Sequence, residues 1–253
     1  MAFARSLVKP LKRSLSASLK AARASTYTQS VVDNQSNARL VNGSYTSNMA
    51  DSKTFTFSAW LGFNTPTPIA AHRILQITTA AASGLFLLTR TASAGTLSLT
   101  WGWDGVDYQL ASTVITGDVS DGLLHHIYIE GDSDLHTKVY VDGVESYAAA
   151  PAFSGVSTAW SQATQIGICS GHAGGNVGDY LIADLYFRTG YRGTYSNFYN
   201  GGTPPDISTA GALAELFISG DATVWNGADP NSGVGLAAAG GPTLTLTNTF
   251  ADV

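Results

Sequence analysis

Charge, cysteine and glutamate are all scarce in this sequence. Charged residues occupy 12% of its 253 positions, about half the usual share, and include only three Glu and five Lys. A helical bundle needs both on its exposed faces, so that class is disfavoured. The single cysteine, Cys169, excludes an internal disulfide and, alone, a structural zinc site. No uncharged apolar run reaches about 18 residues, so no stretch reads as a membrane-spanning helix. Glycine, at 27 residues, and aromatics, at 10%, are plentiful instead. That is too much Trp, Tyr and Phe for a disordered chain. Length and composition together suit one large all-β domain or two small ones.

The formal charge of −5 hides an asymmetry. Residues 1–25 carry Arg5, Lys9, Lys12, Arg13, Lys20 and Arg23 with no acid, while the remainder holds 7 basic against 18 acidic residues, a net −11. A basic arm on an acidic body implies that the arm has its own partner: nucleic acid, an anionic membrane or an acidic protein surface. Leu7, Leu11, Leu15 and Leu19 recur every four residues and line one side of a helix, which would best start near Pro10. The arm lacks the apolar core of a secretory signal, though its Arg, Ser and Ala content resembles a mitochondrial presequence. Its apolar stripe suits a protein groove better than a phosphate backbone. The body, at −11, argues against phosphate contacts of its own.

From residue 26 the pattern becomes period-two segments separated by Gly, Asn, Asp and Ser. Across 54–63, Phe55, Phe57, Leu61 and Phe63 fall on one face of a strand. Leu97, Leu99, Trp101 and Trp103 share a face likewise. Further strands are expected at 73–78, 84–90, 125–130, 137–141, 165–169 and 181–188. Asp142-Gly143 carries a hairpin-turn signal. Short helical turns fit only 194–199 and 208–217. Many short strands without a fixed repeat indicate an antiparallel sandwich rather than a propeller or solenoid.

Three segments in order carry a resemblance: Phe55-Thr56-Phe57-Ser58-Ala59-Trp60, His125-His126-Ile127-Tyr128-Ile129, and Lys138-Val139-Tyr140-Val141-Asp142-Gly143. With Gln165-Ile166-Gly167 and the strand at 181–187 they resemble the laminin-G-like, concanavalin A-like jelly-roll superfamily over about residues 30–205. Leu124 stands where that family commonly has Trp. The resemblance implies a two-sheet antiparallel jelly roll at 26–253, with 205–253 supplying closing strands and 1–25 as a separate arm. Fold alone does not fix function, because lectins, glycanases, adhesion modules and virus coats share it. Tyr199-Asn200-Gly201-Gly202-Thr203-Pro204-Pro205-Asp206 and the Thr-rich ending further resemble modules of tailed-phage virion proteins.

Glycanases on this fold place carboxylates two positions apart on one strand, about 5–5.5 Å apart when retaining. Glu130-Gly131-Asp132 is the near match, but it runs into a hairpin and reads as a solvated strand end, so no catalytic residue is assigned. His125 and His126 are adjacent and must point to opposite faces, which disfavours a shared metal. Calcium is the natural ion for the fold's rim loops, with Asp104 and Asp107 as weak ligands and turn capping as the alternative. For glycan stacking and hydrogen bonding, Tyr108, Trp160, His172, Asn176, Asp179 and Tyr191 lie in or near loops, as do Tyr195 and Trp225. The Gly-rich loop at 170–179 could line such a site or serve as a plain connection.

The expectation is a non-enzymatic virion structural protein: a capsid decoration, head-fibre or tail-associated component in multiple copies. Residues 1–25 would join it to capsid or tail proteins, and loop aromatics would hold host glycans. The alternative is a free carbohydrate-binding lectin.

Overall fold

The structure, a computed structural model, describes residues 32–33, 38–42, 47, 49–63, 70–81, 84–92, 96–103, 108–115, 119, 121–132, 136–149, 157–170, 180–199, 216–218, 245–247 and 251–252. In chain order the strands are β1 (Val32–Asp33), β2 (Arg39–Asn42), β3 (Thr54–Phe63), β4 (His72–Thr78), β5 (Gly84–Arg90), β6 (Leu97–Trp103), β7 (Tyr108–Ile115) and β8 (Leu124–Asp132). They continue with β9 (His136–Val141), β10 (Val144–Ala149), β11 (Gln165–Ile168), β12 (Tyr180–Thr189), β13 (Leu216–Ile218), β14 (Thr245–Thr247) and β15 (Ala251–Asp252). Two single-turn 3-10 helices, Trp160–Gln162 and Tyr195–Asn197, complete the described elements.

The strands form a two-sheet antiparallel jelly-roll sandwich. One sheet has the order β10-β9-β8-β3-β12-β1-β15, with β13 also paired to β12, and the other runs β14-β2-β11-β4-β5-β6-β7. Closing strands from the C-terminal stretch enter both sheets, as β15 beside β1 and β14 beside β2. The chain places β4 to β7 in the second sheet and returns through β8, β9 and β10 to the first.

Period two explains the core. In β3, Phe55, Phe57, Ala59, Leu61 and Phe63 turn inward, meeting Ile127 and Ile129 of β8, Val139 and Val141 of β9, and Leu97, Leu99 and Trp101 of the opposite sheet. Phe55 is the hub: its ring lies 4.8 Å from Trp101, 5.4 Å from Phe86, 6.0 Å from Trp160 and 6.1 Å from Phe187. Edge and offset contacts of this kind add to the burial of the rings themselves. The one polar atom that Trp101 takes inside, its indole N–H, donates to Thr137 Oγ1 at 2.7 Å.

Local punctuation matches the sequence in several places. Asp142 and Gly143 have φ of 50° and 78°, the two positive angles that a tight hairpin turn between β9 and β10 requires. Cys169 has φ of 61° and ends β11 at Ile168. One expectation needs correction. Phe217, placed in a helical turn at 208–217, sits in β13, where it pairs with Tyr186; residues 208–215 lie outside the described residues. The side chain of Trp103 is also outside them, so only Leu97, Leu99 and Trp101 of its face are placed in the core.

Gly131 opposes Phe55 across β8 and β3, and a Cβ there would fall on the Phe55 ring. Gly131→Ala is therefore expected to cost about 2 kcal/mol by overpacking, read from urea unfolding. Phe55→Leu in the same chain should recover part of that loss, because the two positions are in contact.

Candidate functional site

The sheet that contains β3 has a second face, and its residues are unusual for a surface. Alternation turns Thr56, Ser58 and Trp60 outward from β3, and His126, Tyr128 and Glu130 outward from β8. Register aligns these into rows: Arg188–Thr56–Glu130–Lys138 and Tyr186–Ser58–Tyr128–Tyr140, each crossing β12, β3, β8 and β9. An outward row made mostly of Tyr must be covered or used.

Residues 190–199 cover it. Gly190 donates its N–H to the Thr54 carbonyl at 2.9 Å as the chain leaves β12. Thr56 then pins the returning strap twice: its hydroxyl donates to the Tyr191 carbonyl and accepts from the Gly193 N–H, both at 2.9 Å. Arg192 reaches Glu130 Oε1 at 2.9 Å, while the Tyr128 hydroxyl donates to Oε2 at 3.2 Å. The turn at Tyr195–Asn197 lays Tyr195 flat on Tyr140, with centroids 4.8 Å apart and planes 15° apart. Phe198 packs on Tyr128 and Tyr186, and Tyr199 on Trp60 and His126. Phe198 is buried; Tyr140, Tyr191, Tyr195 and Tyr199 are half-buried. The result is an aromatic tray bordered by Arg192, Ser196, Lys138 and Glu145. Glu145 accepts from the Tyr140 hydroxyl at 3.2 Å and lies 3.7 Å from Lys138 Nζ. Exposed pairs like the last contribute about 1 kcal/mol or less.

The two histidines behave oppositely. His126 is buried under Tyr199, with Nε2 at 2.9 Å from Ser58 Oγ; burial pushes its pKa down to about 3, against a smaller upward pull from Asp142. His125 faces the other way. Its Nδ1 lies 2.6 Å from Asp142 Oδ2 and its Nε2 2.9 Å from Asp121 Oδ1. Burial opposes its charge, but hydrogen bonds and attraction to Asp142 and Asp121 outweigh it and raise the pKa to about 9. Asp142 Oδ1 also accepts the His126 N–H at 2.8 Å, so one carboxylate fixes both residues. Tyr128 is held far above the ordinary phenol range, by burial first and by Glu130 second. Among the described residues, no group of three His, Cys, Asp or Glu side chains could hold a metal ion.

Of the residues marked out in the sequence, Tyr191 joins the tray, near Arg188, and Tyr195 lies at its centre. Trp160 needs correction: it has no exposure, sits in the core between the sheets, and donates its indole N–H to the Ser52 carbonyl at 3.2 Å. No sugar can stack on it there. Glu130 is also corrected, since it is 5% exposed and ion-paired rather than solvated. Tyr108 opens β7 opposite Trp103, with its side chain outside the description. Asp104, Asp107, His172, Asn176, Asp179, Trp225 and the whole arm lie outside the described residues. Sequence reasoning missed Tyr140, Tyr199, Arg188 and Arg192. The available signal was Tyr at outward strand positions 128, 140 and 186, followed by four aromatics within 191–199.

No protein-family model matches the sequence, and no curated protein sequence matches it. Among solved structures, similarity is found to botulinum neurotoxin type C, whose uptake into cells depends on interaction with two ganglioside molecules. That alignment has 12% identity, a TM-score of 0.38, and coverage of 53% of this chain and 32% of the other. The ligand-binding domain of botulinum neurotoxin serotype D, in complex with N-acetylneuraminic acid, aligns at 13% identity and TM-score 0.42, covering 60% and 38%. The botulinum neurotoxin DC binding domain, in complex with rat synaptotagmin II, aligns at 11% and 0.40, covering 53% and 32%. The matched parts span about a third of those chains. Values this low carry no functional argument.

The opposed histidines predict a peaked pH–stability profile. His126 takes its proton near pH 6.5 when unfolded but only near 3 when folded, so stability falls as pH drops from 6.5 toward 3. His125 contributes fully below 6.5, and its contribution is lost as pH rises through about 9. Urea unfolding across pH should show the alkaline limb flattened in His125→Asn and part of the acid limb flattened in His126→Gln.

Proposed function

We propose that this protein is a non-enzymatic glycan-binding module, with the aromatic tray over its outer sheet face as the binding surface. The observation that carries this reading is the set of half-buried rings, Tyr140, Tyr191, Tyr195 and Tyr199, held by the strap among polar side chains. Sugars present apolar C–H faces ringed by hydroxyls. Rigid amphipathic tyrosines beside Lys138, Glu145, Arg192 and Ser196 supply matching apolar and hydrogen-bonding groups at little entropic cost. The engagement of Glu130 by Arg192 and Tyr128 favours binding over hydrolysis, because that carboxylate is already committed to two partners.

The wider setting we propose is a virus particle, where the protein serves as a capsid decoration, head-fibre or tail-associated component. The charge split supports it: an arm with six cations and a leucine stripe precedes a body of net −11. An arm adds little affinity alone, but many copies on a symmetric lattice gain avidity. Weak single-site glycan binding would become effective in the same way.

On an immobilised glycan panel the full chain should be retained. Tyr195→Ala should weaken that retention about tenfold, the scale of one lost aromatic contact; unchanged retention would rule out the tray. Deleting residues 1–25 should leave glycan retention intact and abolish oligomers, measured by light scattering after size exclusion. Oligomers that persist in the shortened chain would remove the arm from assembly.

A further inference from the structure

We propose that Asp142 is a positioning residue for the Tyr199 end of the aromatic tray, acting through the hairpin turn beneath that ring and through His126. This rests on the glycan-binding reading of the tray and names what sets its geometry. The turn between β9 and β10 has only two residues, Asp142 and Gly143, closed by the pairing of Val141 with Val144. Gly143 passes so close to the strap that an added Cβ would meet two Tyr199 ring carbons at 2.9 Å and Tyr195 Cε2 at 3.4 Å. Tyr199 thus rests on this turn, and its ring centroid lies 5.3 Å from that of His126. Asp142 ties these two supports together. Its N–H donates to the His126 carbonyl at 2.9 Å, and its Oδ1 accepts the His126 N–H at 2.8 Å.

A turn of this kind forms equally well from Asn-Gly, so the turn alone does not call for an acid. The acid is explained by what faces its second oxygen. Asp142 Oδ2 lies 2.6 Å from His125 Nδ1, and Asp121 Oδ1 lies 2.9 Å from Nε2. A carboxylate at each ring nitrogen requires a proton on both, because carboxylates only accept. The His125 pKa of about 9 agrees with that arrangement. Asp121 is anchored in turn, since its Oδ1 also accepts the Leu123 N–H at 2.7 Å. The chain Leu123–Asp121–His125–Asp142 therefore runs from the entry of β8 to the turn and fixes the Asp142 carboxylate from behind. Asp142 has φ of 50°, a region that residues with a Cβ seldom occupy, so its side-chain bonds also hold the backbone there. Asp142 acts through Tyr199 rather than by touching a ligand.

The test is a double-mutant cycle on the full chain, with Asp142→Gly, Asp142→Asn and Tyr199→Ala. Glycine keeps the positive φ that the turn demands and removes the carboxylate. In 1H–13C NMR spectra the Tyr199 ring signals, assigned by their loss in Tyr199→Ala, should move in Asp142→Gly while those of Tyr191 stay. Asp142→Asn should move them less, because its amide oxygen still accepts the His126 N–H. On whichever of immobilised cellotriose, mannotriose and chitotriose holds the wild-type chain, Asp142→Gly should weaken retention about fivefold, yet add no loss to Tyr199→Ala. Unmoved Tyr199 signals, or equal losses in both backgrounds, overturn the proposal. If the Tyr199 signals move but Tyr195→Ala alters no binding to any glycan, the positioning by Asp142 stands and the tray reading fails.

Discussion

Strand β3 has no solvent face. After Thr54, every residue to Phe63 is buried, because the strand lies between an inter-sheet core on one side and the strap on the other. That constraint organises the structure. On the inner side it demands the Phe55 cluster, and on the outer side it demands acceptors and donors for Thr56 and Ser58. The Thr56 hydroxyl meets its share by gripping the strap at two backbone groups, and Ser58 by meeting His126. A mobile cover would deprive Thr56 of both its strap partners, which is costly for a hydroxyl shielded from bulk water.

The same arrangement makes the candidate surface rigid. Rings that bind through their faces or rims gain most when their rotamers are fixed beforehand, since little ordering remains to be done on binding. Tyr195 is fixed by Tyr140, Tyr199 by Trp60 and His126, and the strap by Thr56 and Glu130. A ligand site on this face would therefore be a stiff platform on a sheet rather than a loop that closes.

How much of this was readable in the chain depended on the source of order. Strands 54–63 and 84–90 were legible to the residue, because alternation in the first, a short apolar run in the second and the flanking turn residues are local properties. The opposed facing of His125 and His126 was legible for the same reason. The tray was not, because it forms where a segment without periodicity, 190–199, folds back on residues far away in sequence. Trp160 shows the complementary failure. A tryptophan between strands looks like a loop residue, but its single helical turn directs the indole inward, where Ser52 satisfies its N–H. Glu130 looked like a strand end in water, and only the tertiary position of Arg192 makes it a buried ion pair.

The outer strand β10 continues this face past β9. Its pairing with β9 is interrupted by a register shift between Glu145 and Tyr147, and Glu145 sits exposed at that point. A kinked, charged margin is poorly matched to the straight backbone ladder that an incoming strand must form. Crowded neighbours would thus be discouraged from fusing their sheets along this border, so each domain keeps its own boundary even at high local concentration.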